Sequence, residues 1–166
     1  MGTSTRFVTP AIAALALIGA GLGTGPASAE AGNGALVPLT ANYRACDFDK
    51  VLHVGTDATG SGTAVIGTHG TNTVTADVFL MIGRPNTAYQ VRLIQGPRTA
   101  MQRCNAGDPG VASAMLNVDG NGVGSVTLRD ARRAGATIAW VFIEGPPDPG
   151  QIRGEYYTSD LPTSLK

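Results

Sequence analysis

The sequence is poor in residues that carry covalent and metal chemistry. Its 166 residues include two histidines, two cysteines and one tryptophan. A catalytic triad needs a histidine beside a nucleophile and an orienting carboxylate. His53 and His69 both read as surface residues, the first on the outer face of a short alternating segment and the second in a turn. No Gly-x-Ser-x-Gly nucleophile elbow occurs. Two cysteines are too few for a thiolate zinc site without further ligands nearby, so no metal or other cofactor is expected. Charge of one sign is also missing: 12 Lys and Arg balance 12 Asp and Glu. They are scattered without a basic stripe, which argues against a nucleic-acid partner. A long hydrophobic run is absent too. The apolar stretch Ala11–Leu22 is about 12 residues, short of the roughly 20 that cross a bilayer as a helix.

That stretch has a different meaning. Arg6 precedes it, Gly25-Pro26 follows it, and Ala27-Ser28-Ala29 supplies small residues at the right spacing. This is the order of a secretory signal peptide. The expectation is cleavage after Ala29, with 1–29 a signal peptide and 30–166 a single domain with no stable membrane span. The protein is then secreted or held at the cell envelope. Outside the cytoplasm an even pair of cysteines reads as a disulfide, so Cys46 and Cys104 are expected to be joined. Arg outnumbers Lys ten to two, a bias in keeping with a GC-rich bacterial genome.

Residues 30–166 show no helical period. Strand patterns recur between Gly, Asn, Asp and Pro. They are expected at 36–43, 48–54, 61–68, 73–82, 88–94, 111–118, 122–129, 137–143 and 152–157. The clearest alternation puts Val74, Ala76, Val78, Leu80 and Ile82 on one face, then Tyr89, Val91 and Leu93 on another. Asp119-Gly120-Asn121 reads as a hairpin turn. Residues 130–135 suggest a short helical turn. Thr137–Ile143 is apolar on both faces, as a central strand is, and Trp140 is expected in the core between sheets. About nine strands without helices make an all-β, two-layer antiparallel β-sandwich, immunoglobulin-like or jelly-roll-like, with one disulfide. A barrel is the runner-up.

Several segments together carry a resemblance. They are Gly60-Ser-Gly-Thr-Ala-Val65, the strand 73–82, Arg84-Pro-Asn-Thr-Ala-Tyr-Gln-Val-Arg-Leu93 and Asn117-Val-Asp-Gly-Asn-Gly122. In these the chain resembles small exported bacterial β-sandwich proteins of actinobacterial type. In general form it is similar to superoxide-dismutase-like and chordin-repeat sandwiches. The resemblance implies the fold but no metal site, since two histidines without a His-x-His pair cannot supply a copper–zinc centre. Asn117-x-Asp119-x-Asn121-Gly122 also opens like a calcium loop, but Leu128 stands where the last acidic ligand belongs.

The expected function follows from this inventory. It is a non-enzymatic, exported domain that binds an extracellular protein or a cell-envelope glycan through its loops. The candidate loops are 95–109, which holds Cys104, and 145–150, where Pro146, Pro147, Asp148 and Pro149 form a stiff binding loop. The alternative is an extracellular hydrolase using paired acids, with Asp47 and Asp49 or Glu144 and Asp148 as the nearest pairs in sequence.

Overall fold

The computed structural model describes Gly2 and residues 34–166. The expected cleavage position and, apart from Gly2, the expected signal peptide lie outside the described residues. Residue contacts divide the chain into Met1–Glu30 and Ala31–Lys166, and the fold is that of the second unit. Among the described residues no helix is long and apolar enough to cross a membrane.

The described residues form nine strands and no helix. They are β1 (Ala35–Thr40), β2 (Ser61–His69), β3 (Thr73–Met81), β4 (Ala88–Gly96), β5 (Val111–Asn117), β6 (Gly124–Ala131), β7 (Ile138–Glu144), β8 (Tyr156–Ser159) and β9 (Thr163–Ser164). All pairings are antiparallel. The strands make one sheet in the order β5-β4-β7-β8-β1-β2-β3-β6, with β9 added to β7. The ends of that path, β5 and β6, lie against each other without a ladder between them. The sheet therefore curls into a nearly closed barrel, close to the runner-up architecture.

Closure rests on one glycine and one buried amide. At one end of the seam a Cβ on Gly124 would meet the Asn117 carbonyl oxygen at 2.6 Å, so only glycine allows the approach. At the other end Gln95 is fully buried and crosses to the far strand. Its Nε2 donates to Asp130 Oδ2 at 2.7 Å and to the Ala131 carbonyl at 2.8 Å. Its Oε1 accepts from the Arg133 amide at 2.7 Å. A buried amide with both ends satisfied orders its neighbours rather than destabilising them.

Alternation along the strands fills the barrel. Val74, Ala76, Val78 and Leu80 of β3, and Tyr89, Val91 and Leu93 of β4, are buried within it. Ile82 does not share that face and is exposed, with φ of 57° as the chain leaves β3. On β7 the inward residues are Ala139, Val141 and Ile143. Trp140 and Phe142 point the other way, into a second cluster with Ile94, Val111, Cys104 and Tyr156. Trp140 is thus buried outside the barrel, not between sheets as expected, because it alternates with the residues that fill the interior.

The cover over this second cluster is the segment expected to be a strand at 48–54. It forms only an isolated bridge, Arg44 to Lys50. Phe48 and His53 have φ of 74° and 65°, the left-handed region, which breaks any alternation. Tyr43, Cys46, Phe48 and Val54 pack down onto the outer face of β7. Phe48 meets Trp140 edge-on at 5.3 Å, and Tyr43 meets Phe142 at 5.6 Å. The Cys46–Cys104 disulfide, with Cα atoms 5.6 Å apart, staples this cover to the 97–110 loop.

Two further expectations change. Residues 130–135 form no helical turn: 130 and 131 end β6, and 132–135 lead out of it without a helix. Asp119-Gly120-Asn121 makes its turn, with Asp119 Oδ1 accepting from the Asn121 and Val123 amides at 2.8 and 2.9 Å. Those bonds hold the Asp119 carboxyl below its ordinary range. Yet β5 and β6 do not pair beyond the turn, because β5 binds β4 and β6 binds β3.

Candidate functional site

The loop after β7 is the stiff segment singled out in the sequence. Pro146, Pro147, Asp148 and Pro149 are all exposed. The loop is closed at its base by the Gly145 amide donating to the Glu155 carbonyl at 2.8 Å. Gly154 permits that closure: a Cβ there would strike the Gly145 carbonyl and approach the Pro146 oxygen to 2.6 Å. Midway, the Gln151 amide donates to the Asp148 carbonyl at 2.9 Å.

Asp148 is then tied to the turn after β3. Arg84 donates through Nη1 to Oδ1 at 2.9 Å and through Nη2 to Oδ2 at 3.1 Å, a bidentate pair. Such a fork fixes orientation as well as distance. With residues 55–57 on the remaining side, these loops enclose a cleft of about 460 Å³. Thr56, Asp57, Arg84, Asp148, Gln151, Arg153 and Glu155 are among the residues that line it. Ile152, 95% exposed, stands on the same loop.

Below the cleft is a buried polar cluster. Glu155 is 8% exposed. It accepts hydrogen bonds from the Tyr89 hydroxyl and from the Tyr157 hydroxyl, the latter at 3.2 Å. The Arg84 amide donates to the Tyr89 hydroxyl at 2.7 Å, and the Gly60 amide to the Tyr157 hydroxyl at 3.1 Å. Burial pushes the Tyr157 hydroxyl up to about 12, with the Gly60 amide opposing and the Glu155 charge adding to the rise. Tyr89 and Tyr157 are barrel residues, so the cleft floor is anchored in the core.

The other sequence candidates fall elsewhere. Gln95 belongs to β4, and the loop after it is braced from within. Arg98 donates to the carbonyls of Gln95 at 2.9 Å, Arg103 at 2.7 Å and Pro109. Met101 stands out from it, 93% exposed. Asp47 accepts from the Asp49 amide at 3.2 Å, a local turn bond. Glu144 takes Arg92 at 3.3 Å and Arg153 at 3.5 Å, while Asp148 takes Arg84. His53 and His69 are both exposed. Among the described residues no three His, Cys, Asp or Glu side chains gather as metal ligands. A larger groove of about 620 Å³ runs between Ala35–Pro38 and Leu161–Ser164.

The sequence singled out Asp148 and its prolines as a candidate loop but not Arg84, Arg153 or Glu155, which line the cleft with Asp148. Arg84 sits in a Gly-Arg-Pro turn, where an arginine usually faces water. Glu155 follows Gly154 and gives no local cue of burial, since its partners lie 66 residues away at Tyr89 and two residues on at Tyr157. No protein-family model, curated protein or solved structure matches the chain.

Proposed function

We propose that the protein is a bacterial export product, cleaved after Ala29, that acts outside the cytoplasm as a binding module. Its partner is an extracellular protein or a cell-envelope glycan, taken at the polar end formed by residues 55–57, Arg84 and the 145–155 loop. In this reading β5-β4-β7-β8 and β1-β2-β3-β6 serve as two facing layers, a two-layer sandwich akin to the small exported bacterial domains that the sequence resembles. The disulfide supports export, because such bonds persist in oxidising compartments.

The observation that carries the binding reading is the braced cleft itself. Three prolines and a bidentate Arg84–Asp148 pair hold an exposed loop in one shape, so little ordering entropy is lost on binding. The cleft offers donors from Arg84 and Arg153 and amide and hydroxyl groups from Gln151 and Thr56, with Ile152 beside them. That mixture suits a polar, hydroxyl-rich or peptide surface. A hydrolase would need two carboxyls facing each other across the site. The cleft's carboxyl residues are Asp57, Asp148 and Glu155. Asp148 is forked by Arg84 and Glu155 is buried under two tyrosine hydroxyls, while Glu144 lies outside the cleft lining and is held by Arg92 and Arg153; we favour binding for that reason.

Export is tested by N-terminal sequencing of the protein recovered from culture medium or envelope, which should begin at Glu30. A chain beginning at Met1 in the membrane fraction would contradict it. Binding is tested with cell-envelope fractions: the processed protein should be retained, and Arg84→Ala should lower retention. Equal retention of the two proteins would overturn the placement of the site.

A further inference from the structure

A separate cavity of about 80 Å³ lies beneath the disulfide. Arg44, Arg92, Cys46, Cys104, Asn105 and Trp140 are among the residues that wall it. Arg92 is 8% exposed. The two arginines are held alike. Each guanidinium lies over a ring, Arg44 at 4.1 Å from the Phe48 centroid and Arg92 at 4.4 Å from that of Phe142. One face of each is therefore covered, and the N–H groups donate in the plane.

The terminal nitrogens have protein partners. Arg44 donates to the carbonyls of Phe48 at 3.1 Å and Asp160 at 2.8 Å. Arg92 donates to the Cys104 carbonyl at 3.1 Å and to Glu144 at 3.3 Å. On both residues Nε is buried and has no partner. A buried unpaired donor on a charged group is costly, and here the two residues that carry such donors both wall one cavity.

Two cationic guanidinium groups thus wall one small cavity. Arg44 has Asp160 at 4.0 Å and Arg92 has Glu144 at 3.3 Å, and Glu144 is shared with the half-exposed Arg153 outside the cavity. At roughly 30 Å³ per water, the cavity has room for a halide with a water beside it. We propose that the cavity is a binding site for a small monovalent anion of halide size, held between the Nε–H groups of Arg44 and Arg92. The bound ion joins the cover, through Arg44, to β4, through Arg92. Burial draws the Arg92 guanidinium below its ordinary value, Glu144 opposing, and a neighbouring anion would oppose that shift further.

The test uses bromide. The thermal midpoint is followed as sodium bromide replaces sodium gluconate at constant ionic strength, gluconate being too large for the cavity. A saturable rise is expected, about 5 °C at ten times the dissociation constant. Arg44→Lys and Arg92→Lys should each reduce it, since lysine has no second in-plane donor to place there. Crystals grown in bromide should show anomalous scattering in the cavity. Equal midpoints in bromide and gluconate, or a cavity holding only water in bromide crystals, would overturn the site. The crystal measurement stands even if a variant fails to fold.

Discussion

Removing the disulfide separates the two apolar clusters energetically. The perturbation is Cys46→Ser together with Cys104→Ser. The bond spans a sequence separation of 58 residues, and the chain-entropy relation for such a loop gives roughly 4 kcal/mol. A domain of about 130 residues has an unfolding entropy on the order of 0.28 kcal/mol/K near its midpoint, so the midpoint should fall by about 15 °C. The effect should also be local. The barrel interior takes its buried members from the strands and their flanks, whereas the outer cluster depends on Tyr43, Cys46, Phe48 and Val54 of the cover. Below its lowered midpoint the variant should keep its β-type circular dichroism. Trp140, now 1% exposed beneath Phe48, should shift its emission to the red as the untethered cover lifts. A midpoint change under about 3 °C would refute the entropic account. Loss of all β signal at low temperature would refute the independence of the barrel from its cover.

Three other perturbations follow from named contacts. Tyr157 titrates near 12 in the folded chain, pushed up chiefly by burial, against about 10 unfolded. Its neutral form is favoured by folding, so this stability is fully present below pH 10 and is lost between pH 10 and 12, by at most about 1.4 kcal/mol per unit. Tyr157→Phe should flatten that decline in alkaline urea titrations without abolishing it, because burial raises Tyr156 as well. Gln95→Ala strands the Arg133 amide and the Ala131 carbonyl at the seam and should cost about 2–4 kcal/mol in denaturant unfolding; a loss below 1 kcal/mol would show that the amide does not close the barrel. Arg84→Ala removes an ion pair whose side chains are 37% and 52% exposed. It should change global stability by less than about 1 kcal/mol, yet speed hydrogen exchange across 146–154; unchanged exchange would mean that the prolines alone hold the loop.

The strands that alternate cleanly were legible because their signal is local. Thr73–Met81 and Ala88–Gly96 present one apolar face at period two, and the barrel buries that face. Thr137–Ile143 announced burial on both sides, and β7 has it, with the barrel on one face and the cover on the other. What escaped was non-local. Residues 48–54 carry apolar residues at strand-like spacing, yet two left-handed residues turn them into a cover. The Asp119 turn was readable, but the divergence of β5 from β6 depends on β4 and β3 as partners. The short β9 lacks any pattern of its own and exists through its pairing with Ile138 and Ala139. At the cleft, exposed prolines and Asp148 could be read from composition. The Arg84 fork and the Glu155 floor could not, since each joins residues more than 60 positions apart.

The claim that function resides at the Arg84–Asp148 end is tested most directly by two matched surface variants. Ile152→Ser alters the cleft loop, and Met101→Ser alters the braced loop at the opposite end; both side chains are over 90% exposed, so neither change should disturb the fold. Retention of each processed protein on cell-envelope fractions is compared with that of the unaltered chain. Weakened retention of Ile152→Ser, with Met101→Ser unchanged, is the predicted result. Loss confined to Met101→Ser would move the binding surface to the disulfide-linked 97–110 loop and contradict the account.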